Sequence, residues 1–145
     1  RDLKKAMHFI HQSALAENST AQLTLGVFFR DGVGVPQSFE EACTWYRKAA
    51  FQGNAHAQIL LAACLLEGLG CQADDHLALK WFLEAAKQGM SSACNGVARC
   101  LEYGLGCEPD EGAAIEWHLK AARLGSQKSQ LFIKERESQL HHRNI

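Results

Sequence analysis

The sequence predicts an all-α solenoid, a single domain in which helix pairs stack on one another, and three observations carry this. The tryptophans stand at Trp45, Trp81 and Trp117, spaced 36 residues apart, and a constant period of roughly 20 to 50 residues is the signature of repeat architectures. Paired glycines keep the same phase at Gly32 and Gly34, Gly68 and Gly70, Gly104 and Gly106. Small and apolar residues keep it too, in the series Ala21, Ala57, Ala93, then Leu25, Leu61, Val97, then Ala42, Ala78, Ala114. No insertion interrupts the register, so the repeats are assigned to residues 19–54, 55–90 and 91–126.

Taken in order, residues 2–18 lie one period ahead of a second helix. Ala6, Phe9, Ala14 and Asn18 match Ala42, Trp45, Ala50 and Asn54. They read either as half of an upstream repeat, the preferred reading, or as an N-terminal cap. Within each repeat a first helix is expected over Ser19 to Asp31, Ala55 to Glu67 and Ser91 to Tyr103, where apolar residues recur at three and four. It stops at the Gly-x-Gly turn because glycine tolerates the positive φ that ends a helix. A second helix is expected from N-caps near Ser38, Asp74 and Asp110 to Gly53, Gly89 and Gly125, with Ser38 and Glu41 at capping-box spacing and Asn54 or Ser91 capping the next helix. Residues 127–142 take the place of a further first helix but lack the glycine turn. Gln130, Lys134, Glu135, Arg136 and Glu137 make that helix polar, as a terminal cap should be.

The stretch Ala21-x-x-x-Leu25-Gly26-x-x-Phe29-x-x-Gly32-x-Gly34-Val35, followed by Ala42-x-x-Trp45-x-x-Lys48-Ala49-Ala50-x-x-Gly53, resembles the Sel-1-like repeat, a relative of the tetratricopeptide repeat. The later copies depart from it at Ala62, Val97 and Ala98, and the turn valine becomes Cys71 and Cys107. The resemblance implies a right-handed α–α superhelix that acts as an adaptor in protein complexes. It also implies an alternative, lactam binding or hydrolysis, as in some cysteine-rich relatives.

Composition narrows the function classes. With 15 Lys plus Arg against 16 Asp plus Glu and a net charge of -1, there is no basic stripe to attract nucleic acid. No apolar run reaches the roughly 18 residues a bilayer span needs, so no membrane insertion is expected. The chain is expected to be soluble. A cytoplasmic compartment is slightly preferred, although a chain that begins at Arg1 leaves the compartment open.

No catalytic constellation is found: there is no Walker loop, HExxH, Gly-x-Ser-x-Gly or Ser-x-x-Lys, and the glycine pairs lack the third glycine of a dinucleotide fingerprint. An enzyme is not expected, and neither is a cofactor. His8 and His11 share a helix face without a third ligand, so no metal site is expected either. None of the six cysteines, Cys43, Cys64, Cys71, Cys94, Cys100 and Cys107, forms a CxxC. Cys64 with Cys71 and Cys100 with Cys107 read either as two short disulfides or as duplicated small hydrophobes, and thiols are the expectation. Asn18-Ser19-Thr20 matches a glycosylation acceptor but reads better as a helix cap.

What remains is a binding surface for a partner protein or peptide. In a right-handed stack the first-helix residues that point away from the second helices line the concave face. These are Leu23, Val27 and Arg30, then His56, Ile59, Ala63 and Leu66, then Asn95, Arg99 and Glu102, with Thr20, Ser92, Lys128, Leu131, Glu135 and Ser138 in the same rows. Apolar residues upstream would anchor the partner while Arg99 and Glu102 set its orientation. Exposed repeat ends offer a route to self-association.

Overall fold

The structure, a computed structural model, describes residues 2–143, and in them the chain forms eight helices and no strand. They are α1 (Asp2–Leu15), α2 (Ser19–Asp31), α3 (Phe39–Phe51), α4 (Ala55–Glu67), α5 (Asp75–Lys87), α6 (Ser91–Tyr103), α7 (Glu111–Arg123) and α8 (Gln127–Arg143). Each helix packs on its neighbours in sequence, the arrangement of a right-handed α–α superhelix.

Local chemistry sets the helix ends. First helices α2, α4 and α6 stop at Gly32, Gly68 and Gly104, whose φ of 70°, 70° and 71° is left-handed, and each cap N–H donates back into the last turn. Second helices α3, α5 and α7 start at Ser38, Asp74 and Asp110, whose side chains accept from the N–H groups of Glu41, Leu77 and Ala113. The capping box expected at Ser38 and Glu41 is only half made. The Ser38 N–H donates instead to the Phe29 carbonyl at 2.8 Å, and Asp74 and Asp110 do the same to Leu65 and Leu101. Each second helix is thereby tied to the end of the first. At the next junctions Asn18 and Asn54 cap α2 and α4. Before α6 the cap position is Met90, which makes no side-chain cap bond; Ser91 is already helical, and Met90 packs on the core. Glu17, in the place of Gly53, Gly89 and Gly125, is the one non-glycine with positive φ among the described residues.

Alanines make the close packing possible. Ala49, Ala57, Ala62, Ala78, Ala85, Ala93, Ala98 and Ala121 have no exposed surface, and between them Leu25, Leu61 and Val97 occupy equivalent buried positions. Burying each of these three contributes about 1.5 to 3 kcal/mol. Buried glutamines add a polar ladder. Gln22 and Gln58 donate to the carbonyls of Ala14 and Ala50 at 3.1 and 3.2 Å, and accept from Gln52 and Gln88 at 2.7 and 3.2 Å. The third repeat replaces that pair with Cys94 and Leu124.

One core position changes character along the stack. Tyr46 lies over Gly26, so closely that a methyl group there would come within 2.6 Å of its ring. Phe82, its equivalent, has Ala62 in place of that glycine, and covers Gly96 of the following helix instead, where a methyl would come within 2.5 Å. The third equivalent is His118.

Trp81, at the tryptophan position of the second repeat, packs against the core from its edge. It is only half-buried and stands edge-on to Phe51 with ring centroids 5.2 Å apart. Trp45, by contrast, is 6% exposed and carries Lys48 over its ring.

Candidate functional site

The first-helix rows divide by depth. Leu23, Val27, Ile59 and Leu66 are half-buried and pack against the core, while His56, Ala63 and Arg99 are exposed. Arg30 is held by Asp31 at 2.9 Å. Asn95 departs most from the concave-face expectation. It is buried, and its amide donates to Ser129 Oγ at 2.8 Å.

That bond opens a network joining three helices. Ser129, fully buried near the start of α8, lies 2.9 Å from His118 Nδ1 on α7. Ser129 Oγ accepts from Asn95, and its own proton can go to His118 Nδ1 when the imidazole proton is on Nε2. The ring is 2% exposed and stacks on Phe132 with centroids 3.8 Å apart. Nε2 has no hydrogen-bond partner; the nearest carboxylate oxygen, Glu102 Oε2, is 3.6 Å away, beyond hydrogen-bonding range. Burial pushes the His118 pKa below its ordinary value and outweighs the opposing pull of Glu102. His118 is therefore neutral near pH 7.

Asn95 and His118 line a cleft of about 410 Å³ between α6 and α8, walled by Arg99, Glu102, Tyr103, Lys128, Leu131 and Glu135. The cleft gathers Asn95, Arg99 and Glu102 from the predicted row and adds His118 and Phe132, which sequence reasoning missed. A signal for both existed: His118 interrupts an aromatic series and Phe132 stands where Gly96 stands one repeat earlier. Ser129, His118 and Glu102 are a serine, a histidine and an acid in sequence of contact, but Ser129 has no exposed surface, so this serine is not placed to attack a substrate.

A second groove, of about 500 Å³, lies on the second-helix side and is lined by Phe51, Leu77, Lys80 and Trp81 among others. Phe51 is 73% exposed, where the other repeats have Lys87 and Arg123. The first-helix periodicity did not point to it.

None of the six cysteines is bridged in the structure. Burial pushes Cys64 and Cys100 up to about 11 and Cys43 up to about 12, and Cys43 is raised further by a neighbour from the following repeat, Cys71. The sequence had considered only Cys64 as a companion for Cys71. Among the described residues no group of three potential ligands is assembled for a metal ion, and no helix is long and apolar enough to cross a membrane.

Comparison with known proteins gives a consistent picture. The profile of the Sel1 repeat matches residues 19–54, 55–90 and 91–126. Among solved structures, the chain is similar to a protective antigen of uropathogenic Escherichia coli displaying an SLR fold, at 35% identity and a TM-score of 0.85 over 88% of this chain and 27% of that one. It is similar at 28% identity to a Sel1 repeat protein from Oxalobacter formigenes, with a TM-score of 0.85 over 91% of this chain and 54% of that one. The chain thus spans 27% and 54% of the lengths of those two proteins. Helicobacter pylori cysteine rich protein B, at 20% identity and a TM-score of 0.68, shares the fold over 90% of this chain and 94% of its own. The curated proteins contain no match. Sel1 repeats are generally protein–protein interaction modules. The chain belongs to the Sel1 repeat family.

Proposed function

We propose that this chain is a scaffold that holds a partner protein or peptide on the concave face made by α2, α4 and α6 and continued by α8. The observation that carries the reading is the layering of that face. Exposed His56, Ala63 and Arg99 stand beside a half-buried apolar row of Leu23, Val27, Ile59 and Leu66, and the row runs into the polar cleft at Glu102 and Glu135. Apolar anchor points with charge at one end suit an amphipathic helix or an extended segment, the charge selecting its direction.

A second reading has its own observation. The groove beside Phe51 and Trp81 is apolar and open, and exposed aromatic patches mark interaction surfaces. Self-association would use the α1 end, where Phe9 is 71% exposed.

Because Ile59 and Leu66 pack on the core, replacing them would alter stability together with binding. A photo-crosslinking residue placed at exposed Ala63, and separately at Lys80 beside the Phe51 groove, separates the two faces. Partner protein from the native lysate should be captured from position 63 and not from position 80. Capture from position 80 alone would transfer the function to the second-helix groove, and capture from neither would reject the scaffold.

A further inference from the structure

The repeats are controls for one another. At the position of His118 the earlier repeats have Tyr46 and Phe82; at that of Ser129 they have Ala21, Ala57 and Ala93; at that of Asn95 they have Leu23 and Ile59, with Leu131 following. Three apolar or small positions have thus become polar at one place in the stack, and the three side chains join there in a buried chain of hydrogen bonds. A buried polar group costs free energy even when it is paired, compared with an apolar one that fits. Packing alone gives no reason for all three.

The network leaves unpartnered polar atoms at the cleft. With its amide nitrogen on Ser129, Asn95 has its carbonyl oxygen left over on the cleft wall. His118 directs its unpartnered Nε2 toward Glu102, and a neutral imidazole leaves the charge of that carboxylate uncancelled. An adjoining cleft of about 400 Å³ shares Glu102, Tyr103, Phe132 and Glu135 with the first, so two carboxylates and two aromatic rings meet at the junction. A guanidinium already sits on one of those rings, Arg136 over Phe132 at 5.2 Å. Arg99 and Lys128 line only the first cleft. Neither they nor Glu135 forms an ion pair among the described residues.

We propose that the junction of these clefts between α6 and α8 is a binding site for a basic side chain, lysine or arginine, of a bound peptide, with Glu102 and Glu135 as its acceptors and neutral His118 as the neighbour that leaves Glu102 charged. Carboxylates beside aromatic faces attract a cation through charge and ring quadrupole together. The groups facing His118 are Glu102 and Arg99 from α6 and Arg136 from α8, with uncharged Asn95, Ser129 and Phe132 completing its surroundings. Protonated His118 would itself pair with Glu102, so binding of the basic side chain should weaken in acid.

The site rests on the concave-face reading and is tested separately from it. Acetylated and amidated pentapeptides Gly-Gly-X-Gly-Gly, with arginine, glutamate or norleucine as X, are titrated into the full chain and followed by backbone amide shifts. The arginine peptide should move Glu102, Tyr103 and Glu135 and bind about ten-fold more tightly than the norleucine peptide, a difference of about 1.4 kcal/mol. Glu102→Gln with Glu135→Gln should abolish that preference. The triple variant His118→Phe, Ser129→Ala, Asn95→Leu restores the residue types of the earlier repeats and so should fold. It should lose the arginine preference and the weakening of binding in acid. Equal binding of all three peptides, preference for glutamate, or an arginine preference that survives both variants would overturn the site. Crosslinking from Ala63 can fail while the arginine peptide still binds, and can succeed when it does not.

Discussion

Gly70, in the turn after α4, is pressed against the first residue of α3: a methyl group on its α-carbon would lie 2.0 Å from the Phe39 carbonyl oxygen. Gly106 meets the Asp75 carbonyl in the same way, at 2.5 Å. The second glycine of each of these turns is therefore a contact between repeats, while the first ends a helix.

Gly70→Ala should cost about 4 kcal/mol, because backbone at this distance cannot yield as a side chain can and the φ of 73° adds strain. Gly53→Ala, with φ of 91° and no atom within 4 Å, should cost only the left-handed strain of about 1 to 2 kcal/mol. Urea denaturation of the two variants checks the difference. Equal losses would show that the turn, and not its contact with α3, sets the requirement for glycine.

The tryptophans should separate in the same assay. Trp45→Ala removes a nearly buried indole and should cost about 3 to 5 kcal/mol. Trp81→Ala removes a half-buried one on the wall of the Phe51 groove and should cost about 1 to 3 kcal/mol. The reverse order would mean that the groove closes over Trp81 in solution.

Stability should fall in mild acid through His118. Its folded pKa lies below the ordinary 6.5, so below that pH the unfolded chain binds the proton more readily than the folded one. The stabilisation is fully present above 6.5 and is lost as pH falls from there through the depressed value. Urea midpoints measured from about pH 8 to about pH 5 should show the fall, and His118→Phe should remove this part of it. An identical slope in the variant would assign the acid sensitivity to other groups.

Thiol reactivity should follow burial. Cys43, Cys64 and Cys100, raised to about 12, 11 and 11, hold little thiolate near pH 8 and are buried. Iodoacetamide should label them at least roughly 100-fold more slowly than half-buried Cys71. Labelling of Cys43 and Cys71 at one rate, read by mass spectrometry, would contradict the packing of α3 against the turn after α4.

The residue pattern by itself determined the helices and their stacking. Turn glycines and the Ser38, Asp74 and Asp110 caps act within a few residues of backbone, and the 36-residue phase repeats that local geometry along the chain. The same phase selected the first-helix face but could not assign depth along it. Periodicity reports the direction in which a side chain leaves its helix, whereas burial depends on how closely the next helix approaches. For that reason Asn95, placed in the same row as Leu23 and Ile59, turned out to serve a buried network, and Leu66 packed on the core while Ala63 remained exposed. His118 shows the limit most clearly. Its partners Glu102 and Ser129 come from the helices on either side, and Cys71 found its neighbour Cys43 in the preceding repeat. Only the packing of the helices against one another brings such residues together, because the distances between them are set by side chains filling space and not by the repeat length.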